Sequence, residues 1–181
     1  VHNLDVVNWV KGATPVVCQG LGGRQVRTGP EFGNIFDHFA VRYEYEDGLT
    51  MFAMATQQRG ISTRVGNVLH GTKGTAHVDR ATASFTGESP WEFDGDGSSG
   101  DLEMHGALIN AIRTGQPINE GVRLAEATMT GIMGRMSAYT GRALKWDWAM
   151  KASKLDLRPP QYEMGPLPVG PVAMPGRTPL V

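Results

Sequence analysis

From Phe36 to Glu46 the side chains alternate with a period of two. Phe39, Val41, Tyr43 and Tyr45 fall on one side, and His38, Ala40, Arg42, Glu44 and Glu46 on the other. Successive residues of an extended chain point to opposite faces, so this is a strand with one face on a core and one in solvent. Asp47-Gly48 supplies a two-residue hairpin turn, and Leu49 to Thr56 returns as the partner strand. A half-buried hairpin needs a second layer to cover it, and the remaining sequence provides one.

Val1 to Lys11 has helical spacing, with Val6, Val7 and Val10 on one side and His2, Asp5 and Trp9 on another, and Gly12 ends it as a left-handed cap. No N-cap precedes His2, so the polypeptide is expected to continue upstream. A strand is expected at Pro15 to Gln19, leading into a loop, Gly20-Leu21-Gly22-Gly23-Arg24-Gln25. Further strands are expected at Ser62 to His70, Thr75 to Asp79 and Thr82 to Thr86, the first two joined by the turn Gly71-Thr72-Lys73-Gly74. A loop rich in Gly, Asp and Ser follows from Asp94 to Gly100.

Two helices come next. In the first, Leu102, His105, Leu108, Ile109 and Ile112 share a face, and the helix ends near Gly115. The second runs from Glu120 with Asn119 as cap, carries a stripe of Val122, Ala125, Met129, Ile132, Met133 and Met136, and stops at Gly141. Leu144 to Trp146 reads as a short strand before a small helix. Strands segregated from helices predict an α+β fold, a largely antiparallel open β-sheet with helices packed on one face. We divide the chain into a domain at 1–155 and a proline-rich extended tail at 156–181. Seven of the 11 prolines lie between Arg158 and Val181, a segment with no helical or strand period. It reads as chain laid over a surface or as mobile chain.

The composition, 40% hydrophobic and 19% charged, is that of a soluble globular protein, and 181 residues suffice for a sizeable core. A formal charge of -1 with scattered basic residues gives no pull toward nucleic acid or an anionic membrane. No apolar run approaches the roughly 20 residues of a membrane helix. Cys18 is the single cysteine, so no internal disulfide or cysteine-based zinc site is available. Within Val16-Val17-Cys18 it reads as a buried strand residue packing like a small hydrophobe. The five histidines are dispersed without the i,i+4 spacing of a helical zinc site, so no metal is expected.

Several polar residues stand where sites are built, on loops and strand ends. His2 and Asp5 are three apart on one helical face, an arrangement that suits a general acid/base histidine oriented by a carboxylate. From spacing alone a surface histidine at a frayed terminus is the favoured reading. Arg24 and Gln25 sit in the glycine loop, Asp37 and His38 at a strand start, and Arg59 after a strand. Each alone reads equally as a solvated group or a local hydrogen-bond partner. His105, on an apolar helix face, is either a satisfied core histidine or one aimed into a cavity. Gly20-Leu21-Gly22-Gly23 is the one glycine cluster resembling a phosphate loop, but no helix follows at the spacing such a loop needs.

The same segments carry a family likeness. Val1-His2-Asn3-Leu4-Asp5-Val6-Val7-Asn8-Trp9-Val10 resembles the H-x-x-D … W stretch of the glucose–fructose oxidoreductase / inositol dehydrogenase / MocA family. Gly22-Gly23-Arg24-Gln25, Asn34-Ile35-Phe36-Asp37-His38-Phe39, Gly71-Thr72-Lys73-Gly74, Asn119-Glu120 and Met133-Gly134-Arg135-Met136-Ser137-Ala138-Tyr139-Thr140-Gly141 resemble its bacterial, often exported branch. The likeness covers nearly the whole chain up to the proline-rich tail.

This resemblance implies the C-terminal domain of a two-domain enzyme whose N-terminal Rossmann domain binds NAD or NADP. The C-terminal domain of that family supplies the substrate pocket for sugars, polyols and their derivatives, and often the oligomer interface. The family's active-site histidine falls on His2, as general acid/base for the hydroxyl being oxidised, and Asp5 matches the aspartate that supports it. Substrate contacts are then expected among Asp5, Arg24, Gln25, Asp37, His38, Arg59 and His105. The family's Glu-Lys-Pro lysine is not in this chain, so the chain by itself is expected to be inactive. Met104-His105 stands where close relatives read Glu-His. An NAD-dependent glycoside hydrolase of the same superfamily and a non-catalytic sugar-binding or assembly module remain as alternatives. A homo-oligomer through the open sheet is expected, since a broad half-apolar sheet in water invites association. Export to the periplasm is what the resemblance favours, with a cytoplasmic location left open.

Overall fold

The computed structural model describes residues 1–95 and 100–181. Part of the expected loop from Asp94 to Gly100 therefore lies outside the described residues. In chain order the elements are α1 (His2–Lys11), β1 (Val17–Gly23), a 3-10 turn (Pro30–Phe32), β2 (His38–Glu44), β3 (Thr50–Thr56), β4 (Gly66–Gly71), β5 (Gly74–Asp79), β6 (Ala83–Gly87), β7 (Trp91–Glu92), α2 (Gly100–Thr114), α3 (Gly121–Thr140), β8 (Leu144–Lys145) and α4 (Trp146–Lys151). Among the described residues all strand pairing is antiparallel, in two four-stranded sheets. The α+β class read from the sequence is the class observed. The chain divides into two units, one of residues 1, 3–61 and 126–181, the other of residues 2 and 62–125.

The first unit holds the sheet β3-β2-β1-β8. Its inner face carries Cys18 from β1, Val41 and Tyr43 from β2, and Met51 from β3. These pack with Met133 and Met136 of α3, and Leu4 and Val7 of α1 lean on the same cluster. The alternation at Phe39, Val41, Tyr43 and Tyr45 thus marks the inner face. Cys18 is a buried strand residue, and burial pushes its thiol up to about 11 despite lowering hydrogen bonds from Ser137 and Leu144. It is an inert core side chain.

Small residues let α3 lie close on this sheet. A Cβ added to Gly134 would overlap the Tyr43 hydroxyl, and one added to Gly20 would meet Gly134 O and Ala138 N at 3.0 Å. That approach buries polar groups, and a connected network satisfies them. Tyr43 Oη donates to Thr130 O (2.9 Å), Tyr45 Oη to Asn8 Oδ1 (2.6 Å) and Asn8 Nδ2 to Thr130 Oγ1 (2.9 Å). Thr130 Oγ1 in turn donates to Glu126 O. Burial pushes the Tyr45 phenol up to about 12, as low-dielectric surroundings disfavour its anion.

Two sequence expectations need correction here. Gly20-Leu21-Gly22-Gly23 is not a loop but the second half of β1, paired with Phe39 and its neighbours in β2. Its glycines answer to close approach by α3 at Gly20 and by His38 and Phe36 at Gly22, which overrides their weak strand preference. The β2–β3 hairpin closes through Tyr45 N–H to Leu49 O and Gly48 N–H to Tyr45 O. Its loop is therefore three residues, Glu46-Asp47-Gly48, with Gly48 left-handed at φ 85°. This is a turn followed by a left-handed residue, not a two-residue turn.

At its C-terminus α3 stops at Gly141, φ 72°. The Gly176 N–H donates to Thr140 O (2.9 Å), so the returning tail satisfies one of the orphan carbonyls of the helix. Ser153 Oγ bonds Val181 O (2.9 Å), and Leu180 rests on the core cluster.

The second unit is the meander β4-β5-β6-β7 with α2 and the start of α3. Gly71 pairs with Gly74, so Thr72-Lys73 forms a two-residue hairpin loop. Asn119 Oδ1 accepts from Gly121 N–H at the head of α3. The stripe Leu102, Leu108, Ile109 and Ile112 of α2 is exposed. The short strand β7 had no signal in the sequence.

Candidate functional site

Four of the polar residues singled out in the sequence, Arg24, Gln25, Asp37 and His38, come together at one end of the first unit's sheet. There β1 leaves and β2 enters, with Gly23 paired to His38 and His38 to Thr56. Beyond Gly23 the chain turns back on itself and closes around the Asp37 side chain. Three successive backbone N–H groups, of Gln25 (2.8 Å), Val26 (2.7 Å) and Arg27 (2.9 Å), donate to Asp37 Oδ2. His38 Nδ1 lies 2.8 Å from the other oxygen, Oδ1.

Asp37 is 1% exposed. Burial by itself would raise its pKa. The N–H of Arg27, the His38 ring and the N–H groups of Val26 and Gln25 outweigh it and hold the carboxyl well below the usual carboxylate range. An ionised carboxylate only accepts, so the bond to His38 requires the proton on Nδ1. The neutral ring then keeps its lone pair on Nε2. Gly23 makes room for that edge of the ring, since a Cβ there would press on His38 Cε1 and Nε2 at 3.1 and 3.2 Å. The His38 side chain is 40% exposed. The result is an oriented, solvent-accessible imidazole backed by a buried carboxylate, able to accept a hydrogen bond or a proton from a ligand hydroxyl.

Arg24 and Gln25 belong to the same cluster. The Arg24 guanidinium donates to the carbonyls of Gly29 (2.9 Å) and Gly33, bracing the loop, and its Nε is buried without a partner. Gln25 Oε1 accepts from Gln58 Nε2 (3.3 Å). Arg27 bonds the Gln57 carbonyl (3.2 Å) and side-chain Oε1 (3.1 Å) and stands 5.4 Å from the Phe32 ring centroid. Arg27, Gln57 and Gln58 were not singled out in the sequence. Their signal was the pair of glutamines just past β3, whose last residue lies opposite His38.

The other candidates stand elsewhere. Arg59 is exposed beyond the end of β3. His2 opens α1, exposed, with Asp5 partly buried one turn on. His105 is exposed on α2, its Nδ1 2.6 Å from Asp101 O in its own helix. The glycine cluster does not fit a dinucleotide phosphate. Gly20 through Gly23 are extended and paired along β2, and the Gly20 N–H donates to Ser137 Oγ (2.7 Å), so this segment is part of a sheet ladder and not a loop wrapped around an anion. Among the described residues no group of three or more His, Cys, Asp or Glu could hold a metal ion.

The sequence matches no protein-family model and no curated protein. Its fold, however, recurs in solved structures. UDP-N-acetylglucosamine 3-dehydrogenase from Acidithiobacillus ferrooxidans superposes with a TM-score of 0.63 at 18% identity, over 75% of this chain and 44% of that one. Aldose-aldose oxidoreductase from Caulobacter crescentus, complexed with glycerol, gives 0.61 at 19% identity, over 80% and 45%. An oxidoreductase from Agrobacterium radiobacter, in complex with NAD+, L-tartaric acid and magnesium, gives 0.60 at 15% identity, over 80% and 46%. At these identities the likeness is one of fold. The chain spans less than half the length of each of these three proteins.

Proposed function

We propose that these residues form the C-terminal, substrate-facing domain of an NAD(P)-dependent oxidoreductase acting on a sugar, a polyol or a derivative. The observation that carries this reading is the α+β fold shared with about half the length of three oxidoreductases, joined to His2-x-x-Asp5 at the head of α1. One of those proteins holds NAD+ and another glycerol. Because the glycines of β1 do not fit a phosphate cradle, NAD or NADP falls to a part of the protein outside these residues. It would supply hydride acceptance when bound.

What this chain contributes is binding and proton handling. His2 takes the proton of the substrate hydroxyl at an imidazole nitrogen, and Asp5, one turn on, orients the ring. A separate set of polar groups stands at the end of the β1–β2–β3 sheet, the His38 ring edge and the Gln25–Gln58 pair, which suit a hydroxylated ligand. Asp37 and Arg24 act behind them, one fixing the His38 tautomer and the other the loop.

The open face of this sheet supports the expectation of a homo-oligomer. Leu21, Phe52 and Met54 are 72%, 75% and 87% exposed on it, a contiguous apolar patch of the kind that marks an interface.

The test uses the full-length protein, with nicotinamide reduction followed across a panel of sugars and polyols, before and after His2→Ala. Reduction that the substitution lowers by a hundredfold or more, on the order expected for a lost general base, supports the reading. Undiminished turnover in His2→Ala removes His2 from the chemistry. Glycoside cleavage without net cofactor reduction moves the assignment to the NAD-assisted glycosidase.

A further inference from the structure

A concave site in the first unit shares no lining residue with the Asp37–His38 cluster and has no role in the function proposed above. The C-terminal half of α3 forms one wall. The chain beyond α4 forms the other, leaving at Leu155 and Leu157 and returning from Pro171 to Val181. Two clips hold the returning segment in place, Gly176 N–H to Thr140 O and Ser153 Oγ to Val181 O. The volume of this open cleft is about 540 Å³, inside the roughly 300–1,000 Å³ range of small-molecule sites.

Its walls are mostly apolar, with few polar groups. Leu155, Leu157, Val172 and Met174 supply aliphatic surface, and two cations, Arg135 and Arg177, complete the lining. The Arg135 guanidinium carbon lies 4.2 Å from the Tyr139 ring centroid, a cation–π contact that holds it at the ring, and Tyr139 is itself tied by the Phe36 N–H donating to its hydroxyl (3.0 Å). Among the described residues, neither guanidinium has a carboxylate within salt-bridge distance. A preoriented guanidinium without an internal counter-ion, at the edge of an apolar cavity, matches a planar anion carried on an apolar body.

We propose that this cavity binds a small amphipathic carboxylate, with Arg135 pairing the carboxylate and the tail's aliphatic side chains enclosing the apolar part. A compact hydrated dianion would leave most of the wall unused. An uncharged apolar molecule would leave the guanidinium unpaired.

Isothermal titration of the full-length protein with octanoate, and in parallel with octan-1-ol, tests this directly. Octanoate is expected to bind with Kd on the order of 0.1–1 mM, given the yield per atom of small ligands, and the alcohol at least about tenfold more weakly. Arg135→Gln is expected to bring octanoate down to the level of the alcohol, with circular dichroism unchanged. Ala173→Phe, which fills the cavity from the tail side, is expected to abolish binding of both. Equal binding of acid and alcohol overturns the proposal, as does octanoate affinity unchanged in Arg135→Gln or the absence of saturable heat up to about 10 mM. If Ala173→Phe does not fold, the acid–alcohol comparison and Arg135→Gln still decide it.

Discussion

Gly134 sits where α3 passes over Tyr43, and replacing it with alanine sets two opposing effects against each other. In an open helix the change stabilises by about 1 kcal/mol, because alanine loses less backbone entropy than glycine. Here the new methyl occupies the space of the Tyr43 hydroxyl. The phenol must move, giving up its hydrogen bond to Thr130 O. An unpaired buried hydroxyl costs about 1–3 kcal/mol, and the displaced packing costs about 1–3 kcal/mol more. The expected net for Gly134→Ala is a loss of about 3 kcal/mol, or roughly 6–12 °C in melting temperature for a chain of this size. Tyr43→Phe removes the oxygen that is in the way. Alone it costs about 1 kcal/mol for the lost bond, since Thr130 O keeps its place in the helical ladder. In the double variant that loss and the helix-propensity gain cancel. The ring carbon Cζ, 3.1 Å from the new methyl, needs only a small shift. Urea unfolding of all four proteins, followed by tryptophan fluorescence, should give a coupling energy of about 4 kcal/mol. A Gly134→Ala loss equal in both backgrounds would refute the claim that the Tyr43 hydroxyl sets the distance between α3 and the sheet.

Asp37→Asn removes the charge, and one of the two acceptor oxygens, of the group that holds three backbone N–H groups and the His38 ring, and is expected to cost about 3 kcal/mol at neutral pH, on the scale of charge-assisted bonds. Because the Asp37 pKa is lowered by folding from 3.8, its contribution is complete above about pH 4 and is lost as pH falls toward its folded value. The acid limb of the melting-temperature profile should therefore flatten in Asp37→Asn, and an unchanged limb would contradict the assignment. Where the His38 imidazole is neutral, its nitrogen-15 shifts should report the Nδ1–H tautomer, and Asp37→Asn should release that preference. Gly48→Ala places a side chain at φ 85° and should lower stability by about 1–2 kcal/mol, measured by urea midpoint. Met54→Asp, in the most exposed apolar position of the sheet, should convert the proposed oligomer to monomer in light scattering. A wild-type protein already monomeric at micromolar concentration would remove the interface.

The parts of the fold legible in the sequence are those decided by neighbouring residues. Alternation through Val41, Tyr43 and Tyr45 is a consequence of the extended backbone, and it places each residue on its observed face. Gly12 and Gly141 end their helices in the left-handed region for a reason internal to the turn. Gly20 to Gly23 were illegible, because their strand conformation is enforced by α3 and by Phe36 and His38, distant in the chain. The α2 stripe has the correct period, yet periodicity alone cannot say what, if anything, covers it. At the site, Asp37 and His38 were visible as polar residues at a strand start. That the backbone of Gln25 to Arg27 wraps the carboxylate is a property of a returning loop, which no local spacing encodes. Arg27, Gln57 and Gln58 were missed for the same reason.

The two-residue period has a further consequence once the register is known. His38, Ala40 and Arg42 share the outward face of β2, because Phe39, Val41 and Tyr43 point inward. Across the ladder Ala40 is flanked by Leu21 and Met54, and Arg42 by Gln19 and Phe52. One strand therefore carries the oriented imidazole at its start and the centre of the apolar patch two residues later. If a second copy pairs through this face, the rim of the interface falls at His38, and water is excluded from the side of the ring that Gly23 leaves open. Association and the reactivity of His38 would then be linked. The exchange of the His38 ring with solvent should slow in the oligomer and recover in Met54→Asp. Rates equal in both proteins would separate the imidazole from the interface and leave it to the substrate alone.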